Sequence, residues 1–356
     1  MKRFAYVSRF VISVFVVSLL MAGPSLFADG GANHQVRNLH FGVSGGNVRD
    51  KNALFCCSGT LGALVQDNQG VQYILSNNHV LGLSGRATAG DDISQPGLID
   101  NGCVIPTIVA DFTVAPALTS NVDCAIAQLR PGLMDGTGFI EDIGTISSTV
   151  LTPSIGLSVA KSGRTTGFTT GTVSSTTTTV NVMYPPACGL SIGITRTFTN
   201  QVVINSTTFS AGGDSGSLIV SNNSCHQPVA LLFAGSSTST IGNPISLVLT
   251  RLSASLGRTV TFVGSACAST ASLASAGHGP SDASVEFATA VMKGREKNLM
   301  SRKGVIGVGI GTSDDNANEA AIVVYIDVNA KDSARVPRTI NGVRVKKVFT
   351  EPFVAY

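Results

Sequence analysis

The sequence predicts a mainly β protein with a small α+β unit at its C-terminal end, and three observations carry that prediction. Charged residues make up only 13% of the chain while glycine occupies 39 positions, which favours short strands joined by tight turns over long surface helices. Short β-rich runs recur from Leu39 to Val263, separated by Gly, Asp, Asn and Pro, at a spacing that suits barrels or sandwiches. After Ser265 the pattern changes to a helical apolar stripe followed by alternating strands.

Residues 1–28 read as a secretory signal peptide. Lys2, Arg3 and Arg9 form a positive start, Phe10–Met21 is an uncharged apolar run, and Ala22, Gly23, Pro24, Ser25 and Ala28 offer a cleavage zone. The run falls short of the ~20 residues a helical span needs, which argues against an uncleaved anchor. No later segment is long and apolar enough to cross a bilayer. The expected location is therefore the periplasm or the exterior, with no membrane association after cleavage. The chain has 24 basic and 21 acidic residues, and three basic residues lie in this leader, so the remainder balances at 21 of each. Composition thus gives no case for nucleic acid or anionic lipid as a partner.

About 330 residues remain, enough for two or three compact units. A first β block is expected over residues 38–143, with strands at Thr60–Val65, Val71–Leu75, Ile105–Phe112 and Val122–Leu129. A second runs over 144–264, through Leu157–Lys161, Gly171–Val182, Thr197–Ile204, Gly216–Val220 and Val229–Ala234. Ser174–Thr179 is rich in β-branched residues between Val173 and Val180, which suits a twisted hairpin better than a linker. Ile245, Val248, Leu249 and Leu252 fall at helical spacing and Gly257 supplies a stop, so a helix closes this block. Residues 265–282 are Ala-, Ser- and Gly-rich and read as a linker. In the unit 283–356, a helix over Ala283–Arg302 presents Phe287, Val291, Met292 and Leu299, and strands follow at Val305–Gly311, Ala320–Val328 and Val343–Phe349. This unit carries no catalytic constellation. Gating the cleft, presenting substrates and driving homo-oligomerisation are the roles open to it.

The seven cysteines are Cys56, Cys57, Cys103, Cys124, Cys188, Cys225 and Cys267, and an odd number leaves at least one thiol outside an internal pair. Cys124 sits in an apolar strand and is expected to be a buried free thiol. Cys188 and Cys225 flank the 212–217 segment and are candidates to bridge. No Cys-x-x-Cys pair or Cys/His cluster points to zinc, and no cofactor is implied. Asp91, Asp92 and Asp100 are oxygen ligands of the kind Ca²⁺ takes, but a solvated turn is the preferred reading.

The chemically loaded segments are Ser76-Asn77-Asn78-His79-Val80, Asn121-Val122-Asp123-Cys124 and Gly212-Gly213-Asp214-Ser215-Gly216-Ser217. A hydroxyl is a poor nucleophile until a base takes its proton, and the base needs an orienting carboxylate. Ser215, His79 and Asp123 supply those three roles. Gly213, lacking a Cβ, can present its N–H beside that of Ser215 as an oxyanion hole, and Gly216 permits the sharp turn. Each motif has a plain reading: Gly-Asp-Ser-Gly alone is an ordinary turn, and a lone histidine is usually a satisfied surface group. The order of the three, each beside an apolar strand, outweighs those readings. His34, His40, His226 and His278 lack such contexts, and Asp111, after Ile108-Val109-Ala110, is the best substitute acid.

With the order His79, Asp123, Ser215, and with Lys161-Ser162-Gly163-Arg164-Thr165-Thr166-Gly167 followed by Gly171-Thr172-Val173, residues 40–260 resemble bacterial chymotrypsin-like serine proteases such as α-lytic protease and the streptogrisins. Leu75–Val80, Gly90-Asp91-Asp92, Gln95-Pro96-Gly97 and Leu232–Ser236 resemble a divergent branch that includes narrow-leaf-type plant proteases and their bacterial relatives. Gly304–Gly309 and Ile340–Val343 resemble a small module of that branch, where it more often precedes the peptidase domain. The resemblance implies two six-stranded antiparallel barrels with the site in the cleft between them, His79 and Asp123 from the first and Ser215 from the second. It implies a secreted endopeptidase acting on polypeptide through an acyl-enzyme. The departures are the missing disulfide beside the histidine, since Val80 follows His79, and Ser217 where many relatives have glycine. By the same resemblance Phe209, Ala234, Gly235 and Ser236 line the pocket for the residue before the scissile bond (P1). Phe209 in place of an acid argues against Lys or Arg there, and the absence of histidine from Val229–Ser237 argues against Glu. A small or apolar P1 side chain is expected.

Two rival readings remain. A catalytically inactive, protease-like binding module is disfavoured by the intact triad order. An esterase of α/β-hydrolase type fails at Ser217, which breaks the Gly-x-Ser-x-Gly elbow, and at the histidine preceding the serine.

Overall fold

A computed structural model of the chain describes residues 34–190, 192–267, 279–330 and 334–356, so the expected leader and most of the expected linker lie outside the described residues. The first sheet is built from β1 (Val43–Asn47), β2 (Gly59–Leu61), β3 (Ala63–Asp67), β4 (Gln72–Ser76), β5 (Asp92–Gln95), β6 (Thr107–Val114) and β7 (Ala125–Leu129). The four-residue helix α1 (Asn78–Leu81) follows β4, and β8 (Phe139–Ile140) pairs with β9 (Gly144–Thr145) beside this sheet. The run expected as one strand at 60–65 is broken at Gly62, whose N–H turns to Leu75 O at 2.9 Å and brings the sheet round onto β4. Inside lie Phe41, Leu61, Leu64, Ile74, Leu75 and Ile126, all buried.

The second sheet contains β10 (Ser158–Gly163), β11 (Gly167–Thr172), β12 (Ser175–Tyr184), β13 (Ile194–Asn205), β14 (Leu218–Ser221), β15 (Pro228–Gly235) and β16 (Ser239–Pro244). Its order is β11-β10-β14-β15-β16-β13-β12. The chain breaks at Val173-Ser174, so the expected strand Gly171–Val182 is divided between β11 and β12. Helix α2 (Ile245–Leu256) ends at Gly257, which adopts φ +73° and donates its N–H to Ser253 O, a left-handed stop that glycine takes without Cβ strain. The next strand, β17 (Val260–Phe262), pairs with β3 and so belongs to the first sheet, although it lies in the stretch assigned by sequence to the second block. The two sheets form a half-barrel and a closed barrel of antiparallel strands, the mainly β double-barrel class expected from sequence.

In the C-terminal unit the expected long helix is divided at Gly294-Arg295 into α3 (Asp282–Lys293) and α4 (Glu296–Met300). Met292 and Leu299 face inward as expected, but Phe287 is exposed and Ala288 takes the buried position. The strands are β18 (Val305–Thr312), β19 (Ala320–Asp327), β20 (Thr339–Ile340), β21 (Val343–Thr350) and β22 (Phe353–Ala355). Alternation along β19 buries both faces: Ile322, Val324 and Ile326 pack with α3 and α4, while Val323 and Tyr325 join Val180, Phe198 and Phe233 of the second barrel. β18 pairs antiparallel with β12, so this unit extends the second sheet.

Candidate active site

His79 lies on α1, one residue into the turn that follows β4, and its backbone N–H donates to Asp123 Oδ1 at 3.1 Å. Its ring Nδ1 is 2.6 Å from Asp123 Oδ2. Asp123 is wholly buried just ahead of β7, where Asn121 turns the chain at φ +71°. Its backbone is clamped by Asn77 Nδ2, which donates to Asp123 O at 2.7 Å, and by Asn243 Oδ1, which accepts from Asp123 N at 2.8 Å. Tyr184, at the end of β12, donates its hydroxyl to Asp123 Oδ2 at 2.8 Å. Three donors therefore converge on one buried carboxylate, the condition under which a buried charge is tolerated. Burial and the Asp123 charge push the Tyr184 phenol well above its usual range, so it remains a donor. For His79, burial acts to lower the pKa, but the charge and hydrogen bond of Asp123, the Tyr356 main-chain oxygen and the charge of Asp50 together raise it.

Ser215 sits in the turn between β13 and β14, wholly buried, flanked by Gly213 at φ +97° and Gly216 at φ +96°. A Cβ on Gly216 would overlap Ser76 Oγ and Thr60 O, so only glycine fits. Thr165 Oγ1 holds Gly212 O at 2.7 Å and Thr60 Oγ1 holds Gly213 O at 3.0 Å. With both carbonyls held, the N–H groups of Gly213 and Ser215 have no acceptor among the described residues. Beneath the turn, Asp214 accepts from the N–H groups of Thr165 and Ala211 at 2.8 and 2.9 Å and lies 3.6 Å from Lys161 Nζ, both side chains fully buried. Ser215 Oγ donates to Phe233 O at 3.2 Å, and no hydrogen bond joins it to His79 among the described residues.

No protein-family model and no curated protein matches this chain. Among solved structures it is similar to a glutamic acid-specific serine protease described as using a histidine triad in substrate binding, at 21% identity and TM-score 0.42, over 62% of this chain and 98% of that one. It is also similar to protease A of Thermobifida fusca, at 17% identity and TM-score 0.42 over 64% and 99%. A third is the chymotrypsin of Cellulomonas bogoriensis, at 14% identity and TM-score 0.41 over 64% and 99%.

The expected pocket residues lie together and are occupied by the chain itself. Phe209 is wholly buried and belongs to an apolar cluster against which Tyr356 packs. Ala234 and Gly235 pair with Ala355 and Val354 of β22, and Ser236 O accepts the Tyr356 hydroxyl at 2.8 Å. His79 Nε2 faces the Tyr356 main-chain oxygen at 2.9 Å. Beyond Tyr356 the cleft opens into a cavity of about 400 Å³ lined in part by Phe55, Arg164, Leu190 and Gly213.

Other candidates fall elsewhere. Asp111 pairs with Arg130 at 2.6 Å, and His34 and His40 pair with Asp142 and Glu141. The three carboxylates weighed for Ca²⁺ are each engaged by an arginine, Asp91 by Arg49, Asp92 by Arg130 and Asp100 by Arg164. The expected Cys188–Cys225 bridge is corrected: the pairs are Cys56–Cys103, Cys57–Cys188 and Cys225–Cys267. Cys188 is drawn to the first barrel because its loop closes over the cleft mouth there, with Asn52 Nδ2 donating to Cys188 O at 2.8 Å. Cys124 is free and buried, and burial raises its thiol pKa. Sequence reading missed Tyr184 and Tyr356, and nothing in a strand-end tyrosine or a chain-end tyrosine signals a partner so distant along the chain.

Proposed function

We propose that this chain is an exported serine endopeptidase. Ser215 Oγ attacks a peptide carbonyl, His79 takes its proton and returns it to the leaving amine, and Asp123 orients the imidazole and stabilises the imidazolium. The Gly213 and Ser215 N–H groups receive the oxyanion, and water then releases the acyl-enzyme. The observation that carries this reading is the Asp123 cage: a buried carboxylate that holds His79 Nδ1 at 2.6 Å leaves Nε2 as the ring nitrogen directed into the cleft. Placement in the branch with the narrow-leaf-type plant proteases belongs to the same proposal and rests on the sequence motifs. So does export, which rests on residues 1–28; among the described residues no helix is long and apolar enough to cross a membrane.

The rival reading, an inactive binding module, draws on the Ser215 hydroxyl being bonded to Phe233 O. A fluorophosphonate probe located by peptide mass spectrometry separates the two. Adduct on Ser215, strongly reduced in His79→Ala, is the expected result; a folded protein that never labels, even with its cleft emptied, leaves the binding module.

A further inference from the structure

The tail Phe353–Tyr356 lies in the cleft as a peptide ligand would. Val354 and Ala355 run antiparallel to Gly235 and Ala234 along β15, and Phe353 and Val354 run parallel to Val182 and Met183 along β12. The tail is therefore a strand held by main-chain bonds on both sides, the mode by which sheet edges bind extended peptides. Its last side chain enters the pocket: the Tyr356 ring packs against the cluster containing Phe209, and its hydroxyl reaches Ser236 O. Burial raises the pKa of that phenol, so it stays a neutral donor. A Cβ on Gly235 would overlap the Tyr356 hydroxyl, so the glycine is what makes the pocket deep enough for an aromatic ring. The main-chain oxygen of Tyr356 lies against His79 Nε2. Upstream, Thr350 Oγ1 bonds Ser236 Oγ at 2.5 Å and Thr238 Oγ1 at 2.8 Å, and Ser237 Oγ donates to Glu351 at 2.6 Å. Phe353 is buried beside Tyr325, ring centroids 5.8 Å apart. The 400 Å³ cavity on the other side of Tyr356 stays open.

We propose that residues 353–356 are a resident ligand that blocks this cleft in cis, and that the pocket selects an aromatic P1 residue, tyrosine foremost, preceded by a small residue. The proposal rests on the serine-endopeptidase reading for the word P1, and it refines the small or apolar side chain expected from sequence. Glutamate at P1 would bring a further negative charge into an apolar pocket where the Asp214 and Glu351 carboxylates already act on the Tyr356 phenol.

Two variants and two readouts test it. Tyr356→Ala in the full chain removes the pocket occupant, and a variant ending at Phe353 empties the groove from position 354 onward while keeping that buried ring; a cooperative thermal transition in each confirms folding. In the second variant, also carrying Ser215→Ala, calorimetry with the peptide Val-Ala-Tyr is expected to show binding, at least about tenfold tighter than Val-Ala-Glu, the discrimination expected for a desolvated charge. Fluorophosphonate labelling of Ser215 is expected to rise at least about tenfold in Tyr356→Ala, as when a tethered occupant exceeds its dissociation constant tenfold. A folded truncated variant that does not bind Val-Ala-Tyr, or binds Val-Ala-Glu equally, overturns the proposal, as does a measurable labelling rate of the parent that both tail variants, with Ser215 in place, leave unchanged. Peptide binding without labelling in any variant upholds the tail assignment while the serine-endopeptidase reading falls.

Discussion

His79 lies between two oxygens that can only accept, Asp123 Oδ2 at 2.6 Å and the Tyr356 main-chain oxygen at 2.9 Å, so both ring nitrogens need protons. The tail-docked arrangement therefore favours the imidazolium, in keeping with a pKa raised above 6.5 despite the opposing effect of burial. A folded pKa above the unfolded one gives stability that is fully present below about 6.5 and is lost as pH rises through the folded value. The melting-temperature advantage of the parent over His79→Gln is expected to shrink as pH rises across that window; a pH-independent difference would contradict the geometry. Tyr184 acts on the same pair from the other side. Tyr184→Phe deletes a hydrogen bond to a buried carboxylate, a loss of about 1.5–3 kcal/mol. With less competition for Asp123, the His79 pKa rises further, an upward shift that NMR titration of the imidazole would read.

The turn carrying Ser215 owes its shape to glycines above and a buried ion pair below. Asp214 and Lys161 are both excluded from water, and Lys161 also donates to Gly167 O at 2.8 Å, which ties β10 and β11 to the underside of the turn. Burial lowers the Lys161 pKa while Asp214 opposes that shift, so the pair is held together by mutual need. Removing one partner strands the other: Lys161→Met is expected to cost about 3–5 kcal/mol in denaturant melts, and Lys161→Met with Asp214→Asn is expected to recover part of it. An additive double variant would mean the two do not communicate. Gly216→Ala meets both a left-handed φ and the backbone of Thr60, and is expected to reduce soluble yield or melting temperature more than an alanine placed at Gly212, where a Cβ meets open space.

At the scale of the molecule, the site exists only where the two barrels meet. Thr60 N–H on β2 donates to Ser215 O at 2.8 Å, and Thr60 Oγ1 accepts from Arg164 N at 3.0 Å, so the first barrel supports the Ser215 turn of the second. Cys57–Cys188 adds a covalent tie across 131 residues beside the cleft cavity. Replacing both cysteines by serine is expected to cost about 3–5 kcal/mol, by freeing a long loop in the unfolded chain. The same change in Cys225–Cys267, which closes a 42-residue separation away from the cleft, is expected to leave peptide affinity unchanged. The C-terminal unit extends β12 through β18 and returns β22 to β15, so its last strand reaches the cleft without a hinge segment between β21 and β22 longer than Glu351-Pro352.

The sequence by itself determined the β-rich class, the order His79, Asp123, Ser215 and the glycines around Ser215, because alternation, turn chemistry and motif spacing are local properties of a chain. Its errors were local too: Gly62, Val173-Ser174 and Gly294-Arg295 interrupt elements whose apolar pattern runs on without a break. The tertiary structure alone decided what meets at long range. Tyr184 stands 61 residues from Asp123, Tyr356 stands 277 from His79, and Cys188 pairs with the first barrel rather than with Cys225. Such contacts depend on how two barrels and a third unit pack, and packing is set by the sum of many buried surfaces rather than by any motif that carries the partner's address.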